Sequence, residues 1–361
     1  MSVEFPVLER LAYLNAGTFG PLSRATLAAM EARARLDAER GRGGKPWFDD
    51  VMALRQRVRA KLAGTIGAQP DNVALTSATT DGCNVVAAGL GLQPGDDVVT
   101  TNAEHPGLLA PLHVSGATVR VADVTTRPTS AALDAILSAI TSRTRLIALS
   151  HVIWTTGQVM PVHEIRRESG LPILVDGAQS VGAIDVEVGQ ADFYTVSGQK
   201  WLCGPDATGA LYVRDPESLR IAAPSHFSQQ SIERDGTFVP VEGASRFDTG
   251  WIAGPALAGL ETALEEAPVD RTSRGRASAR RCRELLRAHG HDVIGDGGAT
   301  LVSFVTPSGD AAADAVALYE AGVLVRDLPG TGWLRASCGW WTSERDLEQL
   351  VEALAEIRRG R

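Results

Sequence analysis

The sequence predicts an α/β protein: a mostly parallel central sheet in a large domain, with a smaller α+β domain at the C-terminal end. Three observations carry that expectation. Short, nearly continuous runs rich in β-branched residues recur through the middle of the chain, separated by stretches of helical pattern. Polar clusters follow several of those runs directly, where open α/β sheets bind their ligands. The 361 residues suit two domains, and the pattern changes near Gly254-Pro255.

Taken in order, residues 23–40 and 47–62 read as helices, separated by the Gly/Pro punctuation of residues 41–46. A strand at 72–76 precedes a helix at 79–90, and a strand at 97–101 precedes a helix at 106–114. Further strands fall at 119–123, 145–150, 173–176, 192–196 and 210–213. Beyond them, 276–289 reads as a basic-faced helix, 300–305 as a strand and 310–321 as a helix. The last helix is the clearest. Ser343 and Asp346 have capping-box spacing, and Leu347, Leu350, Val351, Leu354 and Ile357 recur at helical intervals. The expected domains are therefore 15–254 and 255–361, with residues 1–14 packing near the smaller one.

Composition excludes several classes. At 44% hydrophobic and 22% charged the chain has ample material for a core, so wholesale disorder is excluded. A net charge of −8 lacks the basic footprint of a nucleic-acid binder. Cys83, Cys203, Cys282 and Cys338 are scattered and never form C-x-x-C, which argues against a disulfide framework or a bound metal and suits a reducing cytoplasm. The first residues lack a long apolar run, and the most apolar stretches are too short to span a membrane.

Four clusters carry chemistry, and each has a plainer reading on its own. Ser77, Ala78, Thr79 and Thr80 close a strand and open a helix, which suits a phosphate or an ordinary helix cap. His105, after Glu104, is either a ring-stacking or proton-carrying group or a loop histidine. Asp176 ends the apolar run 173–175, where a carboxylate needs a cation or serves as the N-cap of a following helix. Lys200, after Ser197 and Gln199, is a solvated lysine or a carbonyl-binding amine. Together they supply what pyridoxal 5'-phosphate requires: a phosphate cradle, a stacking ring, an anion for the pyridinium nitrogen and a Schiff-base lysine. The 24 residues from Asp176 to Lys200 leave room for one helix and one strand. Gln179 lies within reach of the cofactor's phenolic oxygen on this reading.

This arrangement resembles the class V aminotransferase superfamily, the cysteine desulfurase-like group of fold-type I PLP enzymes. The resemblance runs from Tyr13-Leu14-Asn15-Ala16-Gly17 through LVDGAQSVG to LRASCGWWTSERDLEQLV. Within the superfamily the chain looks most similar to the cysteine/cystine C–S lyases, sharing Glu104-His105-Pro106-Gly107 and the segment 150–161, with Trp154 where other members often carry Asn. The resemblance implies Lys200 as the Schiff-base lysine, Asp176 at the ring nitrogen, Gln179 at the phenolic oxygen and His105 stacked on the ring. Ala78, Thr79, Ser197 and Gln199 would hold the phosphate, Arg335 the substrate α-carboxylate, and Arg326 would be a second substrate-facing arginine. It also implies a homodimer with the site at its interface, acting on a small amino acid. Two further departures stand out: Gln199 replaces a usual His, and Trp251 stands where many relatives use Thr to reach a neighbouring subunit's phosphate.

The reaction so implied is α,β-elimination from cysteine, cystine or an S-substituted cysteine. The close alternative is a cysteine desulfurase, which needs a nucleophilic Cys on the loop before the carboxylate-binding arginine. Residues 326–335 contain none, and Cys338 reads as a packing residue. A transaminase or epimerase on the same scaffold stays open. A nucleotide-binding protein is disfavoured because residues 89–95 have the wrong spacing for G-x-G-x-x-G.

Overall fold

A computed structural model of the chain describes residues 3–295 and 297–359. Met1, Ser2, Asp296, Gly360 and Arg361, which fall inside the expected domain spans, lie outside the described residues. The chain opens with β1 (Ala12–Tyr13), α1 (Arg24–Arg40) and α2 (Gly44–Thr65). Then come β2 (Val73–Thr76), α3 (Thr79–Gly89), β3 (Asp97–Thr101), α4 (Pro106–Val114), β4 (Thr118–Ala122) and α5 (Thr129–Ser138). The middle continues with β5 (Thr144–Ser150), α6 (Val162–Ser169), β6 (Ile173–Asp176), β7 (Phe193–Ser197) and β8 (Gly209–Val213). Next are β9 (Gln229–Ile232), β10 (Phe238–Pro240), α7 (Gly254–Glu266), α8 (Arg271–Ala288), β11 (Val293–Ile294) and β12 (Leu301–Val305). The chain closes with α9 (Ala311–Glu320), β13 (Val323–Leu324), β14 (Arg326–Leu328), β15 (Trp333–Ser337) and α10 (Glu344–Arg359).

Seven strands form the central sheet in the order β2-β8-β7-β6-β5-β3-β4. Only β8 runs antiparallel to its neighbours; every other pairing is parallel. Alternate side chains explain the continuous apolar runs. Ile147, Leu149, Ile173 and Val175 join one core cluster, while Leu146, Ala148 and Leu174 join another on the opposite face. Both faces are covered, so no polar alternation is needed. The α/β expectation holds.

A second, antiparallel sheet has the order β11-β12-β15-β14. It shares a core with α8, α9 and α10 through Leu286, Val302, Phe304, Leu318, Leu334 and Leu350. The capping box forms as the spacing predicts: the Ser343 N–H donates to Asp346 Oδ2 at 2.8 Å, and the Asp346 N–H donates to Ser343 Oγ at 3.3 Å. Near the start of the chain, β1 pairs in parallel with β13, and Ala12 and Leu14 enter this second core. Helix α7 lies against α1 and α2, with Leu257 and Leu260 in the first core cluster. No helix among the described residues is long and apolar enough to cross a membrane.

The structure departs from the sequence expectation in several places: α7 was not expected, and α8 begins at Arg271 rather than at 276. No helix follows Asp176; the chain passes through turns to a short 3-10 segment, Val188–Gln190, before β7. The turn brings Gly177 so close to β7 that a Cβ would sit 2.1 Å from the Thr195 carbonyl oxygen and 2.3 Å from the Tyr194 ring. Helix α2 starts at Gly44, so Pro46 falls in its first turn, where the missing N–H is harmless. An antiparallel pair, β9 with β10, was not expected.

Candidate active site

The chemistry-bearing residues of the first group stand at the C-terminal ends of β2, β3, β6 and β7. After β2, Ala78 is the extended N-cap of α3 and offers no side-chain cap, leaving the first N–H groups of the helix for an anion. Ser77 is already engaged, its N–H and hydroxyl both donating to Asp81. Thr79 is half-buried beside it. Across the intervening β8, the Ser197 hydroxyl donates to Gln199 Oε1 at 2.8 Å, and the Gln199 amide nitrogen has no partner among the described residues.

After β3, His105 caps α4: its Nδ1 accepts the Gly107 N–H at 3.1 Å, which assigns the ring as the neutral Nε2–H tautomer. Partial burial and the nearby Lys200 ammonium lower its pKa in the same sense. Its ring meets that of Trp154 edge-on, with centroids 5.4 Å apart. Asp176, 4% exposed, ends β6. Its Oδ1 accepts the Ala178 N–H at 2.9 Å and the Thr195 hydroxyl at 3.2 Å, while Oδ2 accepts nothing among the described residues. Gln179 donates one amide N–H to the Gly17 carbonyl at 2.8 Å and accepts the Trp201 indole N–H at 3.0 Å, so one N–H remains free.

The Lys200 amine makes no hydrogen bond or ion pair among the described residues, although its carbonyl accepts the Cys203 N–H at 3.0 Å. Burial brings its pKa down to about 8; Asp176 opposes that shift, and Arg335 and Arg326 add to it. The same charges act on His105, so Lys200, Asp176, His105, Arg326 and Arg335 share one electrostatic neighbourhood.

The two arginines come from the second sheet, where they are register partners on β14 and β15. Arg335 is fully buried, yet only its Nη1 is bonded, to the Trp154 carbonyl at 2.8 Å. Its Nε and Nη2 have no partner among the described residues, nor does the neighbouring Ser337 hydroxyl. Burial pushes the Arg335 pKa down to about 9, which still leaves the group charged at neutral pH. Arg326 donates to Thr18 Oγ1 at 3.2 Å and lies 6.0 Å from the centroid of the Trp154 ring. Neither guanidinium has a carboxylate partner among the described residues. Buried, unmatched donors of this kind are costly unless an anion meets them.

Three features gained no role from sequence. Glu104 is buried without a cation; its carboxylate accepts from Thr101 Oγ1 at 2.6 Å and from the Ser150 N–H and hydroxyl at 2.8 and 2.5 Å. Burial raises its pKa to about 7, against the lowering effect of those hydrogen bonds and with a further push from Asp176. The signal was an acid next to His105 at a strand end. Trp154 is the second feature, standing against His105, Arg326 and Arg335 at once. The third is the segment 15–20, whose first residues carry the family resemblance but were given no role.

The chain matches the aminotransferase class-V family over residues 13–348. It belongs to that family. Its relatives divide by reaction. Isopenicillin N epimerase of Streptomyces clavuligerus is 29% identical over 94% of this chain and 93% of its own. A probable cysteine desulfurase of Xylella fastidiosa (strain 9a5c) is 26% identical over 99% of this chain and 95% of its own. Among solved structures, the cystine C–S lyase C-DES in complex with its product cysteine persulfide superposes with a TM-score of 0.91 at 27% identity, covering 98% of this chain and 99% of that one. The cysteine desulfurase CsdA of Escherichia coli superposes with a TM-score of 0.85 at 24% identity, covering 99% and 97%, a likeness of fold. The fold is that of the fold-type I PLP enzymes.

Proposed function

We propose that this PLP enzyme is a carbon–sulfur lyase, cleaving cysteine, cystine or an S-substituted cysteine by α,β-elimination to pyruvate, ammonia and a thiol or persulfide. The residues fit the cofactor: an amine without a partner at Lys200, a carboxylate oxygen without a partner at Asp176, and an uncapped helix N-terminus at Ala78 and Thr79. Lys200 would hold it covalently, Asp176 Oδ2 would keep a proton on its ring nitrogen, and His105 would cover its face. Ala78, Thr79, Ser197 and Gln199 would hold its phosphate, and the free N–H of Gln179 its phenolic oxygen. When bound, the cofactor supplies a sink for the charge that develops at the substrate α-carbon.

The chain's own groups do the rest. The unmatched Nε and Nη2 of Arg335 bind the substrate α-carboxylate in a planar fork. Arg326 faces a second anionic group, such as the distal carboxylate of cystine. An amine with a pKa of about 8 suits Lys200 to remove the α-proton near neutral pH. The C–S bond then breaks, its electron pair leaving on sulfur as sulfide, thiolate or persulfide, and water hydrolyses the released enamine to pyruvate and ammonia. A persulfide or acidic thiol leaves more readily than an alkylthiolate because it is the weaker base.

One observation supports elimination over desulfuration. Residues 326–335 fold as β14, a four-residue turn and β15, with Arg326 opposite Arg335 and Leu328 opposite Trp333, rather than as a long loop carrying a thiol. All four cysteines are buried. Cys338 is buried in the same core cluster as Cys282, and that thiol and burial raise its pKa well above the ordinary value. Burial raises that of Cys203 as well. Such thiols are poor sulfur acceptors.

An epimerase is the second reading, favoured by the isopenicillin N epimerase match over nearly the whole chain. The deciding assay follows pyruvate and sulfide or persulfide release from cysteine, cystine and S-substituted cysteines. Inversion at Cα without pyruvate would overturn the lyase reading. We assign the homodimer to the face carrying Trp47, Phe48, Phe227 and Trp251, whose rings contact in a chain with centroids 5.1 to 5.9 Å apart. Phe48 is 43% and Trp251 49% exposed there, an apolar patch suited to burial against a second copy. Four free thiols suit a cytoplasmic location.

A further inference from the structure

Residues 15–20 cross from the second sheet to the first and touch five of the site residues. The Gly17 carbonyl accepts the Gln179 amide at 2.8 Å. A Cβ at Gly17 would lie 2.7 Å from Arg335 Nη2 and 2.9 Å from Ser337 Oγ, both without partners. Thr18 Oγ1 accepts from Arg326 at 3.2 Å while donating to Asn15 Oδ1 at 2.8 Å. The Gly20 N–H donates to the Gln199 carbonyl at 2.7 Å, and a Cβ there would lie 2.0 Å from the Lys200 carbonyl oxygen. The segment is itself held: Asn15 bridges to Ser337, and the Ser337 N–H donates to the Leu14 carbonyl at 2.7 Å.

We infer that this strap is part of the substrate site, with Gly17 and Thr18 as positioning residues that set the two arginines. The inference rests on the reading of an α-amino-acid substrate. Only a residue without a Cβ leaves the unmatched edge of Arg335 and the Ser337 hydroxyl open to a carboxylate. Arg335 is fully buried in β15 and bonded to Trp154, so it cannot swing away from an added methyl group. Thr18, fixed by Asn15, decides where Arg326 points. Carboxylate recognition is thereby governed by a segment that carries no charge of its own.

The test uses PLP-loaded Gly17→Ala, Thr18→Val and Thr18→Ser enzymes. Cysteine, which carries the carboxylate, and cysteamine, which lacks it, are titrated by the change in cofactor absorbance, alongside KM and kcat for cystine and the cofactor Kd of each apoprotein. Gly17→Ala should weaken cysteine binding at least about tenfold, the scale of a lost charge-assisted hydrogen bond. Cysteamine binding and cofactor Kd should stay within about twofold, inside the range of an ordinary surface change. Thr18→Val should raise KM for cystine about three- to tenfold with kcat little changed, and Thr18→Ser should restore it. Equal losses for cysteine and cysteamine, or a cofactor Kd that rises in step with KM, would overturn the inference. If Gly17→Ala does not fold, the Thr18 pair decides, and no difference between Val and Ser counts against the strap. A wild type that turns over no sulfur amino acid sinks the lyase reading, while the cysteine–cysteamine comparison still tests the strap.

Discussion

The two halves of the cleft are built on different plans. On the side proposed to hold the cofactor, Ala78, Thr79, His105, Asp176, Ser197 and Lys200 all lie at or just past the ends of strands in one sheet, held by nearby main-chain and hydroxyl groups. On the substrate side, Arg326 and Arg335 belong to another sheet and are steadied by residues far away in sequence, Thr18 and Trp154. Among the described residues the first half leaves open the Lys200 amine, one Asp176 oxygen, single amide groups of Gln179 and Gln199, and the uncapped start of α3. The second leaves a buried guanidinium with two open donors. The difference teaches that, on the proposed reading, the cofactor side is assembled without substrate, whereas the buried Arg335 guanidinium stays electrostatically unfinished until an anion meets it.

That contrast is sharpest at Lys200. Replacing it with Ala should remove the near-ultraviolet to visible band of lysine-bound cofactor and lower turnover by about a thousandfold or more, as expected for a covalent group that is also the base. An unchanged band would break the assignment of the cofactor side. Next in size is Arg335→Lys, which keeps charge but loses the planar fork. Its kcat/KM should fall about thirty- to a thousandfold, mainly through KM, with the cofactor band intact. A simultaneous loss of the band would mean that the two sides are not separable.

Glu104 probes the floor beneath both. Its folded pKa, about 7, lies above its ordinary value of 4.5, so the folded state binds the extra proton between those limits. The stability this contributes is fully present below pH 4.5 and is lost as pH rises through 7. The apoprotein should therefore lose stability relative to Glu104→Gln by up to about 3 kcal/mol across that window, read as the difference in Tm against pH. A constant difference would show that Glu104 is not a titrating group. The smallest effect belongs to Cys338→Ala, for which sulfur release from cysteine should stay within about twofold of wild type, since a buried thiol packs but does not react. Loss of sulfur release would move the protein to the desulfurases.

The same division governs what could be read from sequence. Strand-end polar residues such as Asp176 and Lys200 announce themselves because a buried apolar run stops at a charge. The run 173–176 coincides with β6, and 97–101 with β3. Arg335 carries no such local mark; it was found through the family resemblance, because what distinguishes it is the absence of a partner in three dimensions. The helix expected after Asp176 fails for a related reason. The turn that replaces it sets Gly177 against Tyr194 and Thr195, on a strand some twenty residues later. Gly17 and Thr18 look like ordinary turn residues until β15 is laid beside them.

The hydrogen bond from Arg326 to Thr18 spans 308 positions. During synthesis, residues 73–213, which carry all seven strands of the central sheet and Lys200, leave the ribosome long before residue 326. The emerging protein thus gains the means to capture its cofactor well before it can recognise an amino acid. Chemistry on a half-made chain is ruled out by the order in which the ends meet.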